Sequence, residues 1–226
     1  MATWVITGAN RGIGKEFVER LLAAGHTVFA GMRDTSSFDI EHENLNVLTL
    51  DVSNTESAEK FGHMINSMTE SVDVLVNNAG MMDGRWATFE EVDMEYSLDV
   101  LNVNTIGPMR VTQALWPILK STPDAKVAMI TSLMGSIDDC MSGRSYAYRT
   151  SKTGLNMITK VLSIEGRDCD ITVSCYHPGW VKTDMGGERA PVSKADSVSG
   201  LLSLIDVQTM EMSGRFFEYT GAEFPW

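Results

Sequence analysis

Tyr148 and Lys152 stand four residues apart in the run Tyr148-Arg149-Thr150-Ser151-Lys152. On a helix that spacing puts both side chains on one face. A phenol has a reference pKa of about 10, and a neighbouring ammonium favours its ionised form, drawing that value toward neutrality. The hydroxyl then becomes a usable acid. Reducing a carbonyl calls for one: a hydride goes to carbon, a proton goes to oxygen, and the developing alkoxide is stabilised meanwhile. Taken alone, the pair reads as an everyday tyrosine and lysine on a solvated helix face.

A second run changes that balance. Thr7-Gly8-Ala9-Asn10-Arg11-Gly12-Ile13-Gly14 follows an apolar stretch and leads into a helical pattern. Glycines there allow a sharp turn and a close approach of backbone to a pyrophosphate, which rests on the helix N-terminus and its dipole. The spacing G-x-x-x-G-x-G differs from the G-x-G-x-x-G fingerprint, and the run lacks the Gly-Lys-Ser/Thr ending of a P-loop.

In these runs, and in others spread over essentially the whole chain, the sequence resembles the short-chain dehydrogenases/reductases. Asn77-Asn78-Ala79-Gly80 matches the family's sheet-stabilising motif, and Asn104 in Val103-Asn104-Thr105-Ile106-Gly107 its helix asparagine. Ser132 closes the fifth strand-like run, and Pro178-Gly179 with Thr183 beyond matches the segment that holds the nicotinamide end. Ser132-Leu133-Met134-Gly135-Ser136, Tyr146-Ala147-Tyr148-Arg149 and His177-Pro178-Gly179-Trp180-Val181 are most similar to the C-factor and Sniffer-like carbonyl reductase branch.

The resemblance implies a catalytic set of Asn104, Ser132, Tyr148 and Lys152. Tyr148 would donate the proton, Lys152 would also hold the nicotinamide ribose, Ser132 would bond the substrate oxygen, and Asn104 would anchor a water chain behind the lysine. Tyr146 is a rival phenol, but Thr150 rather than a lysine follows it at the fourth position. Ser136 is a rival serine, 148 − 136 = 12 residues before Tyr148, against 148 − 132 = 16 for Ser132. Ser132 is preferred because it directly ends a strand; the extra residues fit a loop insertion at Asp138–Gly143. The implied cofactor-binding set is Gly8, Asn10, Arg11, Gly12, Ile13, Gly14, Arg33, Asp51, Val52, Asn78, Ala79, Gly80, Tyr148, Lys152, Pro178, Gly179, Val181 and Thr183. Within it, Asp51 and Val52 would face the adenine.

The choice of dinucleotide turns on the end of the second strand, Val28-Phe29-Ala30-Gly31-Met32-Arg33. An acidic residue there would bind the ribose 2′-hydroxyl of NAD. Met32 occupies the position where NAD enzymes of the family carry Asp, Arg33 follows it, and Arg11 lies in the glycine turn. Two guanidinium groups converging on one point suit a phosphate, to which arginine makes bidentate charge-assisted bonds. The expectation is NADPH over NADH; the alternative is that Arg33 is a solvated loop residue beside Asp34.

Positioning these groups requires strands that end in loops at one edge of a sheet. Apolar runs at Thr3–Thr7, Thr27–Gly31, Leu45–Leu50, Val72–Val76, Lys126–Thr131, Ile171–Tyr176 and Arg215–Tyr219 read as seven strands. Between them lie helical patterns: Ile13, Phe17 and Leu21 on one face; Phe61, Ile65 and Met68 on another, with Ser53 or Asn54 as cap. A long helix or helix pair is expected over Phe89–Lys120, kinked or ended near Pro117, with further helices over Ser145–Gly166 and Lys194–Asp206. Strands apolar nearly throughout and alternating with helices predict an α/β doubly wound fold, a mostly parallel seven-stranded sheet covered on both faces. No linker or repeat interrupts residues 1–226, so one domain is expected.

Composition bounds the partners. Thirty acidic against eighteen basic residues give a formal net charge of −12, which repels nucleic acid and anionic lipid. Three irregularly spaced cysteines suit a reducing compartment and neither a disulfide framework nor a metal site. No apolar run reaches membrane-spanning length and the start lacks a basic leader, so a cytoplasmic location is expected. A small-molecule carbonyl substrate would bind beyond the carboxyl ends of the strands. Met81, Met82, Met134, Met141, Trp180 and Met185 fall in those loops and would form a pliable apolar pocket for bulky ketones, aldehydes or quinones, unless they merely pack its rim. The connection from Asp184 to Ser193 is short where many relatives carry a long lid, implying an open cleft. Relatives assemble through their long helices, so a homodimer or homotetramer is expected by analogy. Two other functions stay open: an NAD-linked alcohol dehydrogenase, and a dinucleotide-binding signalling protein of C-factor type.

Overall fold

The alternation of side chains along each strand decides the architecture, because both faces of every strand find apolar cover. In the computed structural model, which describes residues 1–36, 38–82 and 87–226, β1 (Thr3–Thr7) sends Trp4 and Ile6 into one core and Val5 into the other. The strands β2 (Thr27–Met32), β3 (Leu45–Thr49), β4 (Val74–Asn77), β5 (Lys126–Ile130), β6 (Thr172–His177) and β7 (Phe216–Glu218) join it in one sheet. Their order is β3-β2-β1-β4-β5-β6-β7, and every pairing is parallel. The chain therefore crosses over after β3, and a crevice opens at the carboxyl ends of β1 and β4, the topological switch point of such sheets.

Helices cover both faces, as the apolar strands require. Phe17, Val18 and Leu21 of α1 (Gly12–Ala23) and Val198, Leu201 and Ile205 of α6 (Lys194–Asp206) fill one core. The other takes Phe61 and Ile65 of α2 (Thr55–Met68), Val111, Leu115 and Leu119 of α4 (Gly107–Ser121) and Leu155 of α5 (Tyr146–Glu165). Asn54 proves to be the α2 cap, its side chain accepting the Ser57 N–H at 2.8 Å. Met68 departs from the expected buried face: in the last turn of α2 it is 50% exposed. Among the described residues no helix is long and apolar enough to cross a membrane.

The region expected as one long helix or a pair is more broken. A 3₁₀ turn at Phe89–Glu91 precedes α3 (Met94–Leu101), a π-helical turn at Asn102–Ile106, and then α4. Pro117 lies inside α4 without ending it. The π turn seats Thr105 against α5: a Cβ on Gly154 would lie 2.9 Å from Thr105 Cγ2, and Thr105 Oγ1 donates to the Ser151 carbonyl at 2.8 Å.

Phe61 is the pin of the α2 face. It is fully buried, and a Cβ on Gly31 of β2 would lie 3.0 Å from its Cζ, so the ring rests directly on the strand backbone. Truncating Phe61 to Ala should destabilise the protein by roughly 3–5 kcal/mol, read as a lowered midpoint in urea unfolding.

Candidate active site

Two backbone approaches shape the turn after β1. Gly8 has φ +64, and a Cβ there would lie 2.8 Å from Ala79 Cα. Gly14 opens the first turn of α1 so close to Gly8 that a Cβ would fall 2.2 Å from the Gly8 carbonyl oxygen. No side chain fits at either place. Asn78 locks the arrangement by donating from Nδ2 to the carbonyls of Thr7 (2.9 Å) and Gly8 (3.2 Å). Thr7 Oγ1 in return accepts the N–H groups of Asn78 and Ala79, both at 3.0 Å. Arg11, the residue before α1, makes no side-chain cap, so the helix N-terminus keeps its positive end for something else.

On the far side of the crevice, α5 presents Tyr148 and Lys152 from its first two turns, both buried. Lys152 Nζ lies 5.8 Å from the Tyr148 ring centroid and donates to the Ile130 carbonyl at 2.9 Å. Burial pushes the lysine down to about 8, which still leaves it mostly protonated at neutral pH. Asn104 sits in the π turn, fully buried. Its Oδ1 accepts the Met81 N–H at 2.8 Å, while Nδ2 donates to the Met81 carbonyl (2.8 Å) and Ser151 Oγ (3.0 Å). Gly80 lies beside these groups: a Cβ there would make ordinary contacts of 3.4 Å with Asn104 Oδ1 and 3.7 Å with Lys152 Nζ.

The glycine turn, Tyr148 and Lys152 face a cleft of about 620 Å³, whose lining includes neither Asn104 nor Ser132. Fifteen of the expected cofactor residues line it: Gly8, Asn10, Arg11, Gly12, Ile13, Arg33, Asp51, Val52, Asn78, Ala79, Gly80, Tyr148, Lys152, Pro178 and Thr183. Gly14 lies beneath the turn, Gly179 packs at φ +84 against Tyr219, and Val181 is buried in a bridge to Val192. Asp51 accepts the N–H and hydroxyl of Ser53 at 2.9 and 2.7 Å; those bonds, with Arg33 and Arg110 nearby, hold its carboxyl below the usual range. Arg33 borders the cleft, and Arg11 reaches toward Asp184 instead, with Nη1 2.9 Å from Oδ2.

Ser132 does not close β5, which ends at Ile130, but lies two residues beyond it and caps the 3₁₀ turn Leu133–Gly135, its Oγ accepting the Met134 N–H at 3.2 Å. The rival Ser136 accepts the Asp139 N–H at 3.1 Å and borders a second cavity of about 400 Å³ against α5. Tyr146 is half-exposed and meets Phe89 edge-on. The apolar rim is dispersed rather than gathered into one pocket. Met81 and Met185 line the cleft, whereas Met134 borders the second cavity with Ile137 and Met157. Met141 is 90% exposed, Met82 accepts the Tyr96 hydroxyl at 3.4 Å, and the exposed Trp180 donates Nε1 to the Gly186 carbonyl. Leu50, Val103, Ile130, Thr131 and Asp184 also line the cleft without having been singled out from sequence. Ile130 and Thr131 carried a usable signal, since they stand at the carboxyl end of a central strand.

Residues 2–193 match the model of the family described as short chain dehydrogenase. The chain belongs to that family. It is an oxidoreductase by that membership, and its likeness to individual members is extensive. It is 44% identical over 161 residues to C-signal of Myxococcus xanthus, covering 71% of this chain and 96% of that one. The carbonyl reductase Sniffer of D. melanogaster superposes with a TM-score of 0.95 at 33% identity, with both chains fully covered. An NADPH-bound carbonyl reductase from chicken fatty liver superposes with a TM-score of 0.93 at 32% identity, covering 100% of this chain and 99% of that one.

A lysine near 8 when folded and 10.5 when exposed binds fewer protons folded than unfolded between those values. Stability therefore rises with pH across that window, by roughly 3 kcal/mol in all for this one group. Burial raises the Cys175 thiol and the Tyr176 phenol, which act in the opposite sense in both proteins, so denaturant unfolding from about pH 7 to about pH 11 should show the wild type gaining stability relative to Lys152→Met.

Proposed function

We propose that this protein reduces the carbonyl group of a ketone, aldehyde or quinone to an alcohol with NADPH. The observation that carries the reading is the buried Tyr148–Lys152 pair facing the same cleft as the glycine turn. The cradle suits a dinucleotide, because Gly8 and Gly14 leave backbone where any side chain would intrude. Gly8, Asn10, Gly12 and Ile13 would hold the pyrophosphate, Asp51 and Val52 the adenine, and Pro178 and Thr183 the nicotinamide end. When bound, NADPH supplies the hydride.

The chain's own groups supply the rest. Tyr148 donates its hydroxyl proton to the carbonyl oxygen, and the Lys152 ammonium stabilises the phenolate left behind. Ser132 donates a hydrogen bond to the same oxygen, while Asn104 holds the Met81 backbone and Ser151 in register behind the lysine. Met81 and Met185 at the end of the cleft favour an apolar substrate. Exposed Met157, Val161 and Ile164 form a stripe on α5 that suits assembly of two or four copies. The free thiols Cys140, Cys169 and Cys175 suit the cytoplasm.

Arg11 and Arg33 on the cleft wall, with Met32 in place of an acid, support NADPH over NADH, as does the likeness to the NADPH-bound chicken enzyme. A charge-assisted phosphate contact is worth about 1.5–3 kcal/mol, so kcat/KM for a ketone panel should be at least about ten-fold higher with NADPH. Equal or better use of NADH would reject the preference. Tyr148→Phe should cut turnover by at least about 100-fold while NADPH binding, followed by fluorescence titration, stays within about two-fold; retained turnover would remove Tyr148 from its role. The likeness to C-signal favours a second reading in which the chain acts as a signal, and signalling by the Tyr148→Phe protein would separate the two.

A further inference from the structure

The ion pair between Arg11 and Asp184 joins the turn after β1 to the segment after β6, across 173 positions of sequence. Both side chains line the cleft, and both remain largely exposed, at 66% and 78%. A second approach lies beside it: a Cβ placed on Gly12 would be 3.5 Å from Thr183 Cγ2. The two walls thus meet at adjacent points, one polar and one apolar.

The segment carrying Asp184 is a tight unit. The Thr183 carbonyl accepts the Gly187 N–H at 2.7 Å, and its hydroxyl accepts the Gly186 N–H at 3.0 Å. A Cβ on Gly186 would fall 1.7 Å from the Val181 carbonyl oxygen, so the turn closes on its own backbone. Its ends are tied by Lys182 N–H to the Val192 carbonyl (2.8 Å) and Val192 N–H to the Trp180 carbonyl (3.1 Å). A pull on Asp184 therefore moves the whole turn, Met185 included. Among the described residues, the other two carboxylates bordering the cleft are engaged locally, Asp34 with Ser36 and Asp51 with Ser53. Of the three, Asp184 is the one paired across the cleft with a cation of the glycine turn.

We propose that Asp184 is a positioning residue of the dinucleotide site: through Arg11 it straps the segment after β6 to the glycine turn, and this strap opens for a dinucleotide to enter or leave. The proposal rests on the cleft being a dinucleotide site. An exposed pair of this kind is weak and screened by salt, which suits a fastening that must open in every exchange.

The test uses Asp184→Asn and the reversed pair Arg11→Asp with Asp184→Arg, with two readouts. Hydrogen exchange at Gly186 and Gly187 in the ligand-free protein reports whether the strap holds the turn; stopped-flow fluorescence reports release of NADPH and NADH. Asp184→Asn should speed both exchange and release of both dinucleotides about two- to five-fold at low salt, and the difference should shrink at about 1 M salt. The reversed pair should restore protection and slow NADH release while losing Arg11's hold on the 2′-phosphate. Unchanged exchange and release in Asp184→Asn overturns the proposal. So does tighter NADPH binding with unchanged exchange, because Asp184 would then only compete with the phosphate for Arg11. If neither dinucleotide binds the wild type, the reading of the cleft falls and the strap's role with it; normal binding with unaltered release removes the strap alone.

Discussion

A protonated amine buried beside a phenol is the constraint around which this molecule is built. Taking Lys152 out of water disfavours its charge, and the protein answers with the Ile130 carbonyl at the end of β5. That bond ties α5 to the carboxyl end of the sheet. The turn after Ser132 rests on the same residue: a Cβ on Gly135 would lie 2.8 Å from the Lys152 carbonyl carbon. Ser132 is thus placed relative to Tyr148 by backbone packing against the lysine. Asn104 completes the support, since its amide spans Met81 and Ser151 and so couples the end of β4 to α5.

The other wall is built by the same means. Thr7, Asn78 and the backbone of Ala79 knit the ends of β1 and β4 together, at the place where the strand order reverses. Gly8 and Gly14 bring main chain against main chain, and the first residues of α1, Gly12 and Ile13, line the cleft. Electrostatics agree with that geometry. The chain carries a net charge of −12, yet among the described residues Arg11, Arg33 and Lys152 border the cleft and balance Asp34, Asp51 and Asp184 there. An anionic dinucleotide meets cations locally on a surface that elsewhere repels it.

The substrate end is less constrained. Methionines at the strand ends do not converge: Met81 and Met185 turn into the cleft, Met134 packs against α5, and Met141 points to solvent. A site walled by two pliable side chains and a short, self-closed turn offers few fixed contacts.

Seven parallel strands, two apolar cores and the glycine turn were legible in the sequence because each depends on local order. Alternation along a strand shows burial on both faces, and Gly8 or Tyr148 with Lys152 act through residues a few positions away. The cofactor residues could be placed together for a related reason, since the carboxyl ends of parallel strands necessarily share one edge. Only the tertiary structure decided which distant groups touch. The bonds of Asn104 to Met81 and Ser151, the Lys152–Ile130 bond, the Arg11–Asp184 pair and the separate fates of Met134 and Met185 all join segments whose spacing in sequence carries no period. A hydrogen bond or ion pair needs two groups within about 3 Å, and for groups 22 to 173 residues apart that distance is set by how helices and loops pack on the sheet.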